Sequence, residues 1–345
     1  MAATAFGYAI ADVLVALLSY ERDYSSQAIE FVELRLLAVT PYFLMFVLRS
    51  FFDGIGRTEI GFFSAVLTMI TNIFLNWVLI YGNLGQPALG TNGAAIASGL
   101  ATIPGLLLSF WFLLRPEFRA HFRGTSARPD VVGVREVMYL GFAPGLDNLL
   151  MNVSFLLFYM LAGVISTTAV AASGVIVSVL SIAFMPGFGF SIAATTILGQ
   201  AVATGHVIRA RVATNRAVLY AALLMGSMGI GFLLFADPLL GAFSDDPAVI
   251  AAAVPALYVI SIVQAADGAQ MVWAAALRSA GLVYWVLWVY LGLSFLLMLP
   301  TAYLLGVHLG WGTMGLWTGI LSWLLALATV FGLKFRTRDW ENIAI

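Results

Sequence analysis

Apolar residues in this chain neither alternate nor recur every third or fourth position; they fill whole windows. These windows fall at about residues 1–20, 33–52, 58–82, 90–114, 134–164, 166–200, 212–236, 247–276, 281–306 and 312–334, separated by charges or by Gly and Pro clusters. A helix apolar on every side belongs in a core or in lipid. Roughly 20 such residues in a row cover the hydrocarbon thickness of a bilayer. Inside lipid the backbone must satisfy its own polar groups, so the windows predict ten transmembrane helices in an all-α polytopic protein. The windows at 134–164 and 166–200 exceed one crossing and are expected to overhang, tilt or bend.

Charge sharpens this picture. Charged residues make up 10% of the 345 positions, hydrophobic ones 62%, and the formal net charge is −1. Nucleic-acid binding needs a clustered basic face and is excluded. With no cysteine in the sequence, disulfides, thiol nucleophiles and thiolate metal sites drop out. The opening MAATAFGYAIADVLVALLSY lacks a basic leader and a small-residue cleavage site, so it is expected to stay as a span. If ten spans alternate, Arg49, Arg57, Arg115, Arg119, Arg123, Arg128, Arg135, Arg209, Arg211, Arg216, Arg278, Lys334, Arg336 and Arg338 share one side. Arg22 and Arg35 take the other. Positive charge accumulates on the cytoplasmic face, which predicts that both termini are cytoplasmic and that the chain lies in the cytoplasmic membrane.

The two halves carry related motifs. LRSFFDGIGRT at the end of the second window has a counterpart in ALRSAG, and the Gly-Thr-x-Gly of Gly90–Gly93 returns at Gly312–Gly315. Internal duplication is a common plan for transporters. The expected organisation is an N-terminal bundle over 1–114, a cytoplasmic linker over 115–133, a C-terminal bundle over 134–334 and a tail over 335–345. The windows at 134–164 and 166–200 have no partner in the first half.

Three stretches then carry a family likeness. FFDGIGRT followed by TNIFLNWVLIYG and LGTNGAAIAS, GFAPGLDNLLMNVSFLLFYMLAG, and MPGFGFSIAATTILGQAVATG together resemble the multidrug and toxic compound extrusion (MATE) family. Asp267-Gly-Ala-Gln270 before ALRSAG sits at the spacing of that family's tenth helix. The resemblance implies two six-helix bundles around a cavity and cation-driven export of organic cations or lipophilic drugs, coupled to protons or sodium. The ten windows would then be family helices three to twelve, with one and two absent, as expected either of a truncated or misassigned start or of a shortened relative that works differently.

Individual residues follow. Asp267 has no charged neighbour for ten residues on either side. An ionised carboxylate in mid-span costs roughly 2.5–3.5 kcal/mol on insertion scales, so it is retained where it meets a partner or a wet cavity. It is the candidate ion or proton site, with Gln270 on the same helical face as its partner. Asp147 and Asn152 are further coupling candidates. Asn152 stands where one branch of the family has a glutamate, which favours protons over sodium. Asn148, Asn72, Asn76 and Thr68 are candidate cavity polar groups; Asn ladders also simply pack membrane helices. Pro144, Pro186, Gly187 and Gly189 are candidate hinges, and Pro300 also interrupts backbone bonding. Asp12 is the acid of the first window and is expected to play no special part. His121, His206 and His308 lack a second ligand at metal spacing, so no metal is expected. No Walker-type GK[ST] or Ser/His/Asp arrangement occurs, so neither ATP-driven transport nor an enzyme is expected.

The sequence therefore predicts a cation-coupled antiporter without a cofactor beyond H+ or Na+, a monomer whose partners are membrane lipid and a small organic cation. Two alternatives stand beside it: a flippase for lipid-linked precursors or polysaccharides, and an inactive truncated membrane protein. A flippase is expected to place cationic residues in its cavity, whereas the arginines here read as loop residues.

Overall fold

The computed structural model describes residues 30–119 and 131–342, apart from residues 32 and 37. The first apolar window with Asp12, and also Arg22, His121, Arg123 and Arg128, lie outside the described residues. Ten long helical stretches are described: α1 (Val39–Gly54), α2 (Thr58–Leu79), α3 (Gly90–Leu113), α4 (Val131–Ile165) and α5 (Thr167–Ala203). Then come α6 (Val207–Leu234), α7 (Pro247–Ile262), α8 (Gln264–Ser279), α9 (Val283–Leu293) and α10 (Gly312–Thr337). No strand occurs among the described residues. Eight helices there are long and apolar enough to cross a membrane, nine if the bent pair α7–α8 counts as one span. Those nine fall on the second to tenth predicted windows. The protein is thus an all-α, multi-pass membrane protein.

The chain divides into two compact units, residues up to Arg128 and residues from Pro129 onward. In the first, α1, α2 and α3 pack on one another. A buried hydroxyl pair, Ser64 Oγ and Ser109 Oγ at 2.8 Å, joins α2 to α3. In the second, α8 packs against α5, α6 and α10 and forms the centre of the bundle, while α4 lies against α5 and α9. A layer of fully buried side chains including Ile176, Leu257, Ile260, Trp317 and Phe331 surrounds it. Outside, large apolar side chains such as Phe62, Leu223, Ile230 and Leu296 are exposed, as a lipid-facing surface requires.

Two places depart from regular helix. The eighth predicted window breaks at Val263, where α7 and α8 meet at 54°. Ser261 Oγ donates back to Leu257 O at 2.6 Å, a bond of the kind that bends helices. Gln264 Nε2 reaches Ile260 O at 3.4 Å and so occupies an acceptor at the break. Beyond α9, the span continues through a wide π turn at Ser294–Met298, an α turn at Leu299–Ala302 and a second π turn at Tyr303–His308. Pro300 explains the first, because its ring crowds the carbonyl of Leu296 four residues back. The candidate hinge residues Pro144 and Pro186 sit instead inside helices that run unbroken, α4 and α5. Gly187 faces the sulfurs of Met271 and Met225 on neighbouring helices, a packing reason for a glycine there.

Close approach of α8 to α6 depends on Gly268. A Cβ there stands 2.9 Å from the carbonyl oxygen of Ala221, whereas one at Gly189 meets nothing within 4 Å. Overpacking of this kind costs about 1–3 kcal/mol. Gly268→Ala is expected to lower the thermal unfolding midpoint in detergent by several degrees, and Gly189→Ala to leave it unchanged.

Candidate functional site

Polar chemistry in the second unit collects on the inner face of α8. The break at Val263 turns what would be mid-span backbone into a helix N-terminus, and Asp267 lies in the first turn beyond it. The partial positive charge of an N-terminus favours a carboxylate at that position. Asp267 is 2% exposed. Its Oδ1 accepts from Gln270 Nε2 at 2.9 Å, and Gln270 Oε1 accepts from the Tyr290 hydroxyl of α9 at 2.7 Å. Among the described residues Asp267 Oδ2 has no hydrogen-bond partner, and neither has Oε1 of the buried Gln264 one turn earlier. Two acceptors without donors at neighbouring positions leave room for something positive or for a proton.

A second polar group lies two to three turns further along α8. Arg278 forms an ion pair with Asp147 of α4, with both side chains largely covered. Its guanidinium carbon stands 5.2 Å from the centroid of the Tyr290 ring, within cation–π range. One tyrosine therefore touches both groups, through its hydroxyl and through its ring.

These residues line one cavity of about 400 Å³. Its remaining wall is mostly apolar and aromatic, including Met151 and Phe155 of α4, Phe184 and Phe188 of α5, and Trp317 and Trp323 of α10. The charged or titratable groups in the lining are Asp147, Asp267, Arg278 and Tyr290. With Asp147 and Arg278 cancelling, an ionised Asp267 leaves the cavity one negative charge in excess.

Of the residues singled out from sequence, Asp267, Gln270, Asp147 and Asn148 meet at this cavity. Asn148 lines it, though its Nδ2 donates to Pro144 O at 2.9 Å. Asn152 is exposed, outside the lining, and donates to Asn148 O at 2.7 Å. Asn72, Asn76 and Thr68 belong to the other unit. There Asn76 Nδ2 donates to Asn72 Oδ1 at 2.9 Å, and Thr68 Oγ1 reaches Met45 Sδ at 3.6 Å. Sequence reasoning missed Gln264 and Tyr290 and placed Arg278 among loop arginines. Gln264 was findable, since it precedes Asp267 by three residues on one face; Tyr290 carries no local signal. The cavity does hold an arginine, contrary to the expectation that all arginines lie in loops, because Arg278 has an acid across from it on α4. No cluster of three or more His, Cys, Asp or Glu placed to hold a metal occurs among the described residues.

Removing one partner of a covered ion pair leaves the other unsatisfied, at roughly 1–3 kcal/mol or more for a charged group. Arg278→Leu is expected to lower the unfolding midpoint, and adding Asp147→Asn to restore part of the loss. Equal midpoints for the single and double variants would show that an unpaired Asp147 carries no penalty.

Comparison with known proteins adds an independent line. The MatE family profile matches residues 1–78 and 145–304. A probable multidrug resistance protein NorM of Thermotoga maritima is 26% identical over 338 residues, covering 97% of this chain and 72% of that protein. Another probable NorM, from Brucella suis biovar 1, is 30% identical over 335 residues, covering 91% of this chain and 68% of its own. The chain thus spans about 70% of the length of these relatives. Among solved structures, a MATE protein in complex with MaL6 superposes with a TM-score of 0.87 at 20% identity, over 97% of this chain and 75% of that one. An outward-facing multidrug resistance MATE family transporter gives 0.87 at 21%, over 97% and 74%. At such identities the superpositions speak to fold alone.

Proposed function

This chain belongs to the MatE family of multidrug and toxic compound extrusion transporters, and from that premise we propose that it is an antiporter exporting organic cations or lipophilic drugs. In this reading Asp267 is the coupling site. The observation that carries it is the unpartnered Oδ2 of a buried carboxylate, placed at a helix break and facing a cavity beside a second free acceptor, Gln264 Oε1. Leaving that oxygen ionised and unpaired inside a membrane protein is expensive, so a proton or small cation binds there with a strong driving force. Discontinuous helices with half-helix ends turned toward a charged group are the form such sites take in transporters.

Export then follows by exchange. A proton or sodium ion entering the cavity neutralises Asp267, and its release restores the excess negative charge that draws the next cation. Asn152 carries no charge, and among the described lining residues the acid without a countercharge is Asp267. Both features favour protons over sodium. Met151, Met271 and the aromatic wall suit bulky lipophilic guests, since thioethers and rings adapt to many shapes. The same reading places the chain in the cytoplasmic membrane as a monomer surrounded by lipid, with both termini cytoplasmic. It assigns residues 1–114 to the N-terminal bundle, 115–133 to a cytoplasmic linker, 134–334 to the C-terminal bundle and 335–345 to a tail. No cofactor takes part beyond the coupling ion, and no covalent chemistry is required.

The test is drug accumulation in efflux-deficient cells producing the chain at matched levels. Asp267→Asn is expected to abolish export of a fluorescent organic cation, and Asn72→Ala, in the other unit, to retain most of it. Full export by Asp267→Asn would overturn the assignment.

A further inference from the structure

The cavity contains two polar assemblies, and one side chain joins them. We infer that Tyr290 is a positioning residue: through Gln270 it ties the charge of Asp267 to the Arg278–Asp147 clasp between α8 and α4. This rests on reading Asp267 as the coupling site.

The argument begins with the amide of Gln270, which is 4% exposed and has both ends committed. Its NH2 group donates to Asp267 Oδ1 at 2.9 Å, and its oxygen accepts from Tyr290 at 2.7 Å. An ionised Asp267 holds that NH2 group strongly, because hydrogen bonds to a carboxylate are about twice as strong as neutral ones. The amide is thereby oriented with its oxygen toward Tyr290, and the tyrosine is held in place. Held there, its ring offers a face to Arg278 at 5.2 Å while Arg278 pairs with Asp147. Neutralising Asp267 weakens the first link, frees Gln270 to turn, and removes the constraint on the ring.

A separate observation indicates where the released motion goes. Tyr290 lies four residues before the π turn at Ser294–Met298, in a span that carries a second π turn at Tyr303–His308. Such turns are wider than an α turn and lie often at functional sites. Tyr290 thus stands one turn before irregular backbone, where its span is least regularly wound. α4 packs directly on α9, so the clasp on α4 responds to it.

Because the sequence contains no cysteine, a single introduced thiol is unambiguous. Asn148→Cys places one beside Asp147 on the cavity wall. Purified protein in lipid nanodiscs is labelled at one fixed pH with an anionic and, separately, a cationic thiol reagent. Opening of the clasp raises both rates, whereas a change of local potential moves them in opposite directions. In this background Asp267→Asn is expected to raise both rates severalfold. Tyr290→Phe, which keeps the ring and loses the hydroxyl, is expected to do the same, and Gln270→Leu to match it. The Asp267→Asn/Tyr290→Phe double variant adds no further increase, as groups acting in one chain require. If Asp267→Asn speeds labelling and Tyr290→Phe does not, the tyrosine link is wrong while the coupling site stands. If neither does so although Asp267→Asn abolishes export, the clasp is independent of the coupling site. Undiminished export by Asp267→Asn removes the coupling site itself, whatever the labelling rates.

Discussion

A carboxylate held near the middle of a membrane span is the constraint around which the second unit is arranged. Hydrocarbon solvates no charge, so a carboxylate there must be met by backbone dipoles, by hydrogen bonds, or by an ion that arrives and leaves. The chain supplies the first by breaking the span at Val263, which opens a helix N-terminus beside Asp267. It supplies half of the second: Gln270 serves one oxygen and nothing serves the other. The third is left to the solvent and the gradient. A fully satisfied Asp267 would be a structural acid; the oxygen left free at the cavity wall is what supports the proposal of a binding site.

The neighbouring charges follow the same logic to the opposite end. Arg278 and Asp147 also sit at the cavity, yet they satisfy each other and add no net charge. In the proposed reading the paired arginine leaves the excess charge with Asp267. Around these groups the packing is close where helices must stay together, as at Gly268 against Ala221, and wide-turned where Pro300 prevents regular winding. Rigid and adaptable parts of the bundle are thus set down in adjacent spans.

How much of this was legible in the sequence depends on the range of the physics involved. Spans were readable because the bilayer imposes a length on every apolar window, and nine windows correspond to helices or to the bent pair. Asp267 stood out because no charge lies near it, and Gln270 because a helix brings positions three apart onto one face. The break at Val263 was hidden, since no Pro or Gly marks it and its bonds run from Ser261 and Gln264 to carbonyls a turn away. Pro144 and Pro186, which do mark possible bends, sit in continuous helices. Arg278 looked like one more positive residue at a membrane edge, and its partner Asp147 is 131 residues away. Tyr290 belongs to a run of aromatic and aliphatic residues that says nothing about which hydroxyl finds a partner. Long-range pairs such as these are decided by tertiary packing, which no local spacing encodes.

The central claim is that the free oxygen of Asp267 defines one cation-accepting site in a cavity with a single uncompensated charge. Calorimetric titration of the purified protein in nanodiscs, with proton uptake and sodium binding followed separately, addresses it most directly. The account predicts one site that takes up a proton, or a sodium ion in competition with it, and that vanishes in Asp267→Asn while Asn152→Ala retains it. Unchanged stoichiometry and affinity in Asp267→Asn would contradict it.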